Sequence, residues 1–369
     1  MDWFILLVLN KIYQSPLLLS VYKVYKLVVH LTSGTTEIYR VCQAAAKNLG
    51  QSYSDKEEDR PLLENWAENI SEDVVYRIDR SILYSKHLTL ERRELESSNC
   101  RIDDLIQAII TKKRFRCGSN RKNQNTSIAA KVLRVCLVRI AETYRLACEI
   151  NERAHTKYDS TNPLHEQKLL KLWKALMPDT ELRARLTEQW TEIGFQGKDP
   201  ATDFRGMGIQ GLDDLLYYAQ THPSSALQTL TSSHHPVSWY PYAIVGINIT
   251  QYAVQALRTR QLQHFLFKFG TNRKTYHEFY CYLFHKFNEY WMSHEPRSTV
   301  MDFERRFKEF KERINKELLV QGAVPLNLLL RRAEPQYAEE LIELEAKDVS
   351  SAVMGCSASN AIKQRKSLL

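Results

Sequence analysis

Apolar residues recur at three- and four-residue spacing along most of the chain, and strict alternation is sustained nowhere, which predicts helices and no sheet. Val74, Val75, Ile78, Ile82 and Leu83 fit one such face, after a first group at Leu62, Leu63 and Trp66. Ile102, Leu105, Ile106, Ile109 and Ile110 repeat the spacing after a candidate cap, Asn99. Between Ile128 and Ile150, Val132, Leu133, Val135, Cys136, Ile140, Tyr144 and Ala147 mark a long amphipathic helix. A turn over Tyr158 to Pro163 leads to Leu169, Leu170, Leu172, Trp173 and Leu176, and Pro178 stops that helix. Thr180 is placed to cap another, with Leu182, Leu186, Trp190 and Ile193 as its face. Ala243 to Leu257 is apolar but contains Asn248, Thr250, Gln251 and Gln255, which suits a buried helix better than a membrane span. After Pro296, the set Met301, Phe303, Phe307, Phe310 and Ile314, with charges between, predicts the amphipathic helix that closes the body.

Both ends depart from this pattern. Trp3 to Leu9 is an apolar run, and Leu17 to Leu31 is a second one carrying Lys23, Lys26 and His30. The first lacks a basic flank for a secretory signal, and neither reaches the roughly 18 residues of a spanning helix. Sparse lysines among apolar and aromatic residues suit a helix lying in a bilayer interface, and a terminal helix packed on the domain fits the same pattern. The resulting division is an apolar, membrane-leaning segment over 1–31, a linker over 32–58 with its polar stretch at Gly50 to Asp59, a helical body over 59–319, and a tail over 320–369. Within the tail, Tyr337 to Ala346 reads as a short acidic helix and the last twenty residues as disordered.

Composition adds only modest constraints. Charged residues make up 25% and hydrophobic ones 44%, an ordinary globular balance. The net charge of +8 is spread over 369 residues, weak support for a polyanionic partner. Seven cysteines without a CxxC pair argue for reduced thiols in a cytosolic setting, and three glycosylation sequons, at Asn69, Asn125 and Asn248, are then chance. Six basic residues between Lys112 and Lys122 have no aromatic platform beside them, so they read as a solvated loop able to lean on an anionic membrane, and no nucleic-acid partner is expected. His277, Cys281 and His285 share a helix face at ligand spacing, but Phe279, Tyr280, Tyr282, Leu283, Phe284, Phe287, Tyr290 and Trp291 surround them. They read as part of an aromatic core, and no metal site or cofactor is expected.

The densest local signal is GFQGKDPATDFRGMGIQG, Gly194 to Gly211, which holds five of the chain's 12 glycines. Glycine permits positive φ and close backbone approach, Asp199-Pro200 starts a turn, and Thr202 or Asp203 can cap a helix beginning near Gly211. Arg205 stands in the middle of this loop. In extended backbone Asp203 and Arg205 would point the same way, so the carboxylate would hold the guanidinium in place. A planar cation presented there could enter another protein's phosphate site, or it could serve only to hold the loop.

Trp190, then GFQGKDPATDFRGMG from Gly194 to Gly208 and GLDDLLYY from Gly211 to Tyr218, resembles the signature of the ELMO-domain-containing family of GTPase-activating proteins. YDSTNP with LLKLWKALMP between Tyr158 and Pro178, YAIVGINIT from Tyr242 to Thr250, and HEFYCYLFHKFNEYW from His277 to Trp291 agree in order and spacing. The resemblance covers about Ile102 to Leu318, with an ELMO core over about 158–318, and implies a single all-α, multi-helix ELMO-type domain. Three positions depart from the family pattern: Lys198, where an acidic residue is common, Gln210 and Tyr218.

The resemblance implies an activator of Arf or Arf-like GTPases in their GTP-bound form, not an enzyme with a substrate of its own, with Arg205 at the position of the family's essential arginine. Gln196, Lys198, Asp203, Gly206, Gly208 and Trp190 are the accompanying contact or supporting residues, and Lys198 bears on which GTPase is preferred. No GxxxxGK[ST] occurs, so nucleotide would come with the partner. The other reading is a non-catalytic helical scaffold that binds a small GTPase or its regulators. The expected location is cytoplasmic, peripheral on an intracellular organelle membrane.

Overall fold

The computed structural model describes residues 8, 11–13, 15–54, 70–97, 99–115 and 128–332, with backbone alone for 49–54. The expected first apolar run apart from Val8, most of the polar stretch before Ile70, the basic stretch from 116 onward, and the tail expectations from 333 onward therefore fall outside the described residues. The fold is all-α, with no strand among the described residues. The helices are α1 (Pro16–Ser33), α2 (Glu37–Ser54), α3 (Glu72–Leu83), α4 (Thr89–Glu96), α5 (Ile102–Lys112), α6 (Ile128–His155) and α7 (Pro163–Leu176). They continue as α8 (Gly208–Thr221), α9 (Pro223–Ser233), α10 (Tyr242–Arg258), α11 (Gln263–Phe269), α12 (Arg273–Met292), α13 (Phe303–Leu319) and α14 (Leu326–Arg332).

Two compact units divide the chain, Met1–Ala323 and Val324–Leu369; α14 is the described helix of the second. The first unit is organised on α6, whose 28 residues span about 42 Å. Its first half packs against α2, α3, α4 and α5 around Val132, Leu133, Cys136, Leu137 and Ile140, and further along it meets α8 and α10. On the far side, α8 lies among α7, α9, α10 and α12, and α12 buries Phe279, Tyr280, Phe284, Phe287 and Trp291. Those rings explain why α12 has so broad a buried face, since a helix surrounded by neighbours gains on every side.

Three sequence expectations change here. The linker over 32–58 is helix from Glu37 onward, and α2 buries Ile38, Tyr39, Val41, Cys42 and Ala45 in the core, so the body begins well before residue 59. Asn99 does not cap α5, whose N-cap position is Arg101. Met301 is 90% exposed and stands apart from the buried face of α13, formed by Phe307, Phe310 and Ile314. The helix over Ala243 to Leu257 is α10, buried in the body, and no described helix is long and apolar enough to cross a membrane.

Candidate functional site

Between α7 and α8 the chain runs through two short 3₁₀ turns, Glu188–Ile193 and Pro200–Arg205. The helix expected from Thr180 does not form, because Glu181 to Ala184 are irregular and Thr187, not Thr180, caps the first turn. Tertiary contacts override the helical spacing of Leu182, Leu186, Trp190 and Ile193. Arg185 Nη1 bonds Asp199 Oδ1 at 3.0 Å and Arg185 also grips Glu166, which ties the entry of the loop to both its middle and α7. Thr187 N donates to Lys198 O at 3.1 Å, closing the loop on itself.

Beneath this surface lies a relay of rings. Trp173 meets Trp190 edge-on at 5.3 Å, Trp190 meets Phe195 at 5.9 Å, Phe195 meets Phe204 at 5.6 Å, and Phe204 stacks on Tyr158 at 5.4 Å. Aromatic pairs at these separations add directional packing to area burial, so the loop has a fixed floor. Trp190 belongs to that floor: it is fully buried and its indole N–H donates to Arg185 O at 2.9 Å. Of the two roles expected of it, contact or support, a side chain buried this deeply is placed for support. Trp190→Ala should cost about 3–5 kcal/mol of stability, measured by denaturant unfolding, because it empties the centre of the ring relay.

The second turn decides how Arg205 is held. Asp199 caps it through Ala201 N at 3.1 Å, and Pro200 occupies its first position, where a missing N–H is harmless. The expected cap for the next helix was Thr202 or Asp203, but both lie inside this turn, and α8 already starts at Gly208 without a side-chain cap. The backbone is thus not extended at Asp203 and Arg205. In a 3₁₀ turn residues three apart eclipse, so Arg205 sits over Thr202, and its Nε donates to Thr202 O at 2.7 Å. Asp203 instead accepts from Gln196 N at 2.9 Å and pins the two halves of the loop together. Burial pushes the Asp203 carboxyl above its usual range, against the pull of the Gln196 N–H and of the nearby Arg205 charge.

Arg205 is exposed, and among the described residues its two terminal guanidinium nitrogens have no hydrogen-bond or ion-pair partner. Gln196 and Lys198 are exposed on the same loop, with Lys198 facing Glu188 at 3.5 Å. Gly206 is exposed too, and a Cβ built on it would meet nothing within 4 Å. Gly208 differs. It is buried at φ +48 with its Cα face against the end of α6, so its role is to let α8 start there rather than to touch a partner.

The other candidate cluster is interior. His277 Nδ1 lies 2.8 Å from Asp214 Oδ1, which also accepts from Gln210 Nε2 at 2.8 Å, so Gln210 holds a core carboxylate. Tyr218 places its hydroxyl 2.8 Å from Ser225 Oγ and 2.9 Å from Thr229 Oγ1. His285 meets Ser225 and Glu289. Burial pushes the Cys136 thiol up to about 12 and the Cys281 thiol well above its ordinary value, so neither is a thiolate nucleophile. Among the described residues no group of His, Cys, Asp and Glu has the arrangement of a metal site.

The ELMO/CED-12 family profile matches residues 148–307, from the end of α6 into α13. Mouse ELMO domain-containing protein 2 is 39% identical over 252 residues, covering 68% of this chain and 83% of that protein. The chain belongs to the ELMO domain-containing family. Bovine ELMO domain-containing protein 1 is 39% identical over 206 residues, 50% of this chain and 63% of its own. ELMO domain-containing protein B of Dictyostelium discoideum is 33% identical over 296 residues, 80% of this chain and 94% of its own. Within the ELMO match stand the whole ring relay and the Arg205 turn. Arg185, Glu166 and Asp199 are the supports that sequence reading missed, because residues 14 and 19 apart across a proline and an irregular stretch carry no periodic signal.

Proposed function

We propose that this protein accelerates GTP hydrolysis on an Arf-family or Arf-like small GTPase by placing Arg205 in the partner's nucleotide site. The observation that carries this reading is the state of Arg205: exposed, fixed through Nε to Thr202 O at 2.7 Å, with both terminal nitrogens hydrogen-bonded to no other described residue. Such a group is oriented before the partner arrives, so little side-chain freedom remains to be lost on binding. The GTPase brings nucleotide, Mg²⁺ and attacking water, while the guanidinium stabilises charge that develops on the transferring phosphoryl group. Open space beside Gly206 leaves room for the partner's surface. Family membership supports the reading without supplying the activity.

Single-turnover hydrolysis by purified Arf and Arf-like GTPases, with and without the full chain, tests it. Acceleration that saturates with added protein is expected for at least one GTPase; no acceleration across the panel overturns the proposal. The Arg205 Nε bond also suits an arginine that merely ties down its own turn, the scaffold reading, in which the GTPase binds but its hydrolysis rate stays the same.

Lys198 belongs to partner choice in this scheme. Its pair with Glu188 is exposed on both sides and contributes little to stability. Lys198→Glu should change unfolding free energy by less than about 0.5 kcal/mol and shift the protein concentration giving half-maximal acceleration, while the maximal rate at saturation stays the same.

A further inference from the structure

The amino-terminal helix α1 is amphipathic the wrong way round. Its residues Leu19, Tyr22, Lys26, Val29 and His30 are the ones partly covered. That inward side is tied down by polar groups: Lys26 Nζ bonds Glu37 Oε2 at 2.8 Å, the Tyr22 hydroxyl donates to Glu37 Oε1 at 2.5 Å, and His30 Nδ1 lies 3.0 Å from Thr35 O. The opposite side, at spacing four, three, four and three, is Leu17, Val21, Val24, Val28 and Leu31, with exposures of 72%, 61%, 62%, 52% and 74%. α1 buries no residue at all. A surface helix of a water-soluble body turns its aliphatic stripe to the core, and this one turns it to water.

The geometry points to a lipid surface as the occupant of this stripe: α1 lies flat in the outer layer of a membrane, carrying the body with it. Charge narrows the choice. Between Asp2 and Glu37 the chain has no acidic residue, while Lys11 and Lys23 are exposed and Lys23 borders the stripe, where its ammonium can reach headgroups. The residues that lead into α1, Trp3 to Leu9, are apolar in sequence and extend the same chemistry. The stripe covers about 20 Å along the helix, long enough to lie in the interface, and no described helix is long and apolar enough to cross a membrane. Glu37 is the fixing point. By holding Lys26 and Tyr22 against the body, it sets the rotation of α1 and so keeps the aliphatic side outward.

Flotation of the full-length protein with phosphatidylcholine vesicles, with and without a minor fraction of phosphatidylserine, tests this. The protein should float with the mixed vesicles and more weakly with phosphatidylcholine alone. Val21→Glu with Val28→Glu, both more than half exposed on the outer side, should lower the bound fraction about tenfold or more, whereas Val21→Leu with Val28→Leu should raise it. Circular dichroism of each variant should match the parent. Failure of the parent to float, or equal flotation by the Glu and Leu pairs, overturns the proposal. So does a dimer in solution that the Glu pair dissociates while vesicles recruit nothing, which would give the stripe to a second copy.

Discussion

Arg205→Lys should remove the acceleration of GTP hydrolysis almost entirely, by about 10³- to 10⁵-fold, the range an arginine finger supplies. The size follows from shape. A guanidinium anchored by Nε still offers two terminal nitrogens in one plane, whereas an ammonium offers a single point charge on a flexible stem and cannot both hold Thr202 O and reach two phosphoryl oxygens. The same substitution should leave stability within about 1 kcal/mol, since one solvent-exposed hydrogen bond is exchanged for water. The two readouts separate the roles. A loop-holding arginine would lower the melting temperature and the rate together; a finger lowers the rate at constant melting temperature and near-constant GTPase affinity. Full acceleration by the Lys variant would sink the proposal.

Most helices were legible because a core stripe repeats within them: α3, α5, α6, α7 and α13 all carry the three-and-four spacing that predicted them, while α10 and α12 showed as apolar and aromatic stretches. Where the stripe was short, tertiary forces decided. Leu182, Leu186, Trp190 and Ile193 imitate a helix face, yet Leu186 is 61% exposed and Trp190 is fully buried, so they never shared one. The Arg185 bonds to Glu166 and Asp199 hold the backbone open instead. At the amino terminus, the amphipathic pattern of α1 was readable but its facing was not, because Glu37, which sets it, belongs to the next helix.

The site divides in the same way. Glycine density and the Asp199-Pro200 turn marked the loop, and Arg205 stood out within it, because those are local properties of residue type. The partner of each side chain was not local. Asp203 and Arg205 would face one another only in extended backbone, and the 3₁₀ turn sends Arg205 to Thr202 and Asp203 to Gln196. Trp190 sits in the same signature as Arg205 and serves the opposite purpose, packing the floor that keeps the exposed group in place. Periodicity cannot distinguish such roles, whereas burial does so at once.

The glycines of the loop should respond to alanine in sharply different ways. At Gly194, φ is +83 and an added Cβ would stand 2.2 Å from Tyr242 N and 2.7 Å from Pro241 C, both backbone atoms at the start of α10. Neither can rotate aside. The Gly194 carbonyl also accepts from Ile244 N at 3.3 Å, so moving the loop away breaks the contact that seats it. At Gly208, φ is +48 and the Cβ would stand 2.2 Å from Thr156 O, the same carbonyl that accepts from Ile209 N at 2.9 Å and joins α6 to α8. Combining left-handed strain of about 1 kcal/mol with a backbone clash, Gly194→Ala and Gly208→Ala should each cost about 3 kcal/mol or more, enough to abolish folding if the parent is marginal. Gly206→Ala meets no atom within 4 Å and has φ −78, so its unfolding free energy should stay within about 0.5 kcal/mol of the parent. Gly206 is next to Arg205 on the open side, so a methyl group there should instead weaken acceleration of GTP hydrolysis by crowding the approaching partner. Denaturant unfolding and single-turnover rates on the three variants check both halves: stability lost at 194 and 208, rate lost at 206. A Gly206 variant that accelerates as well as the parent would show that no partner surface comes close to the Arg205 backbone.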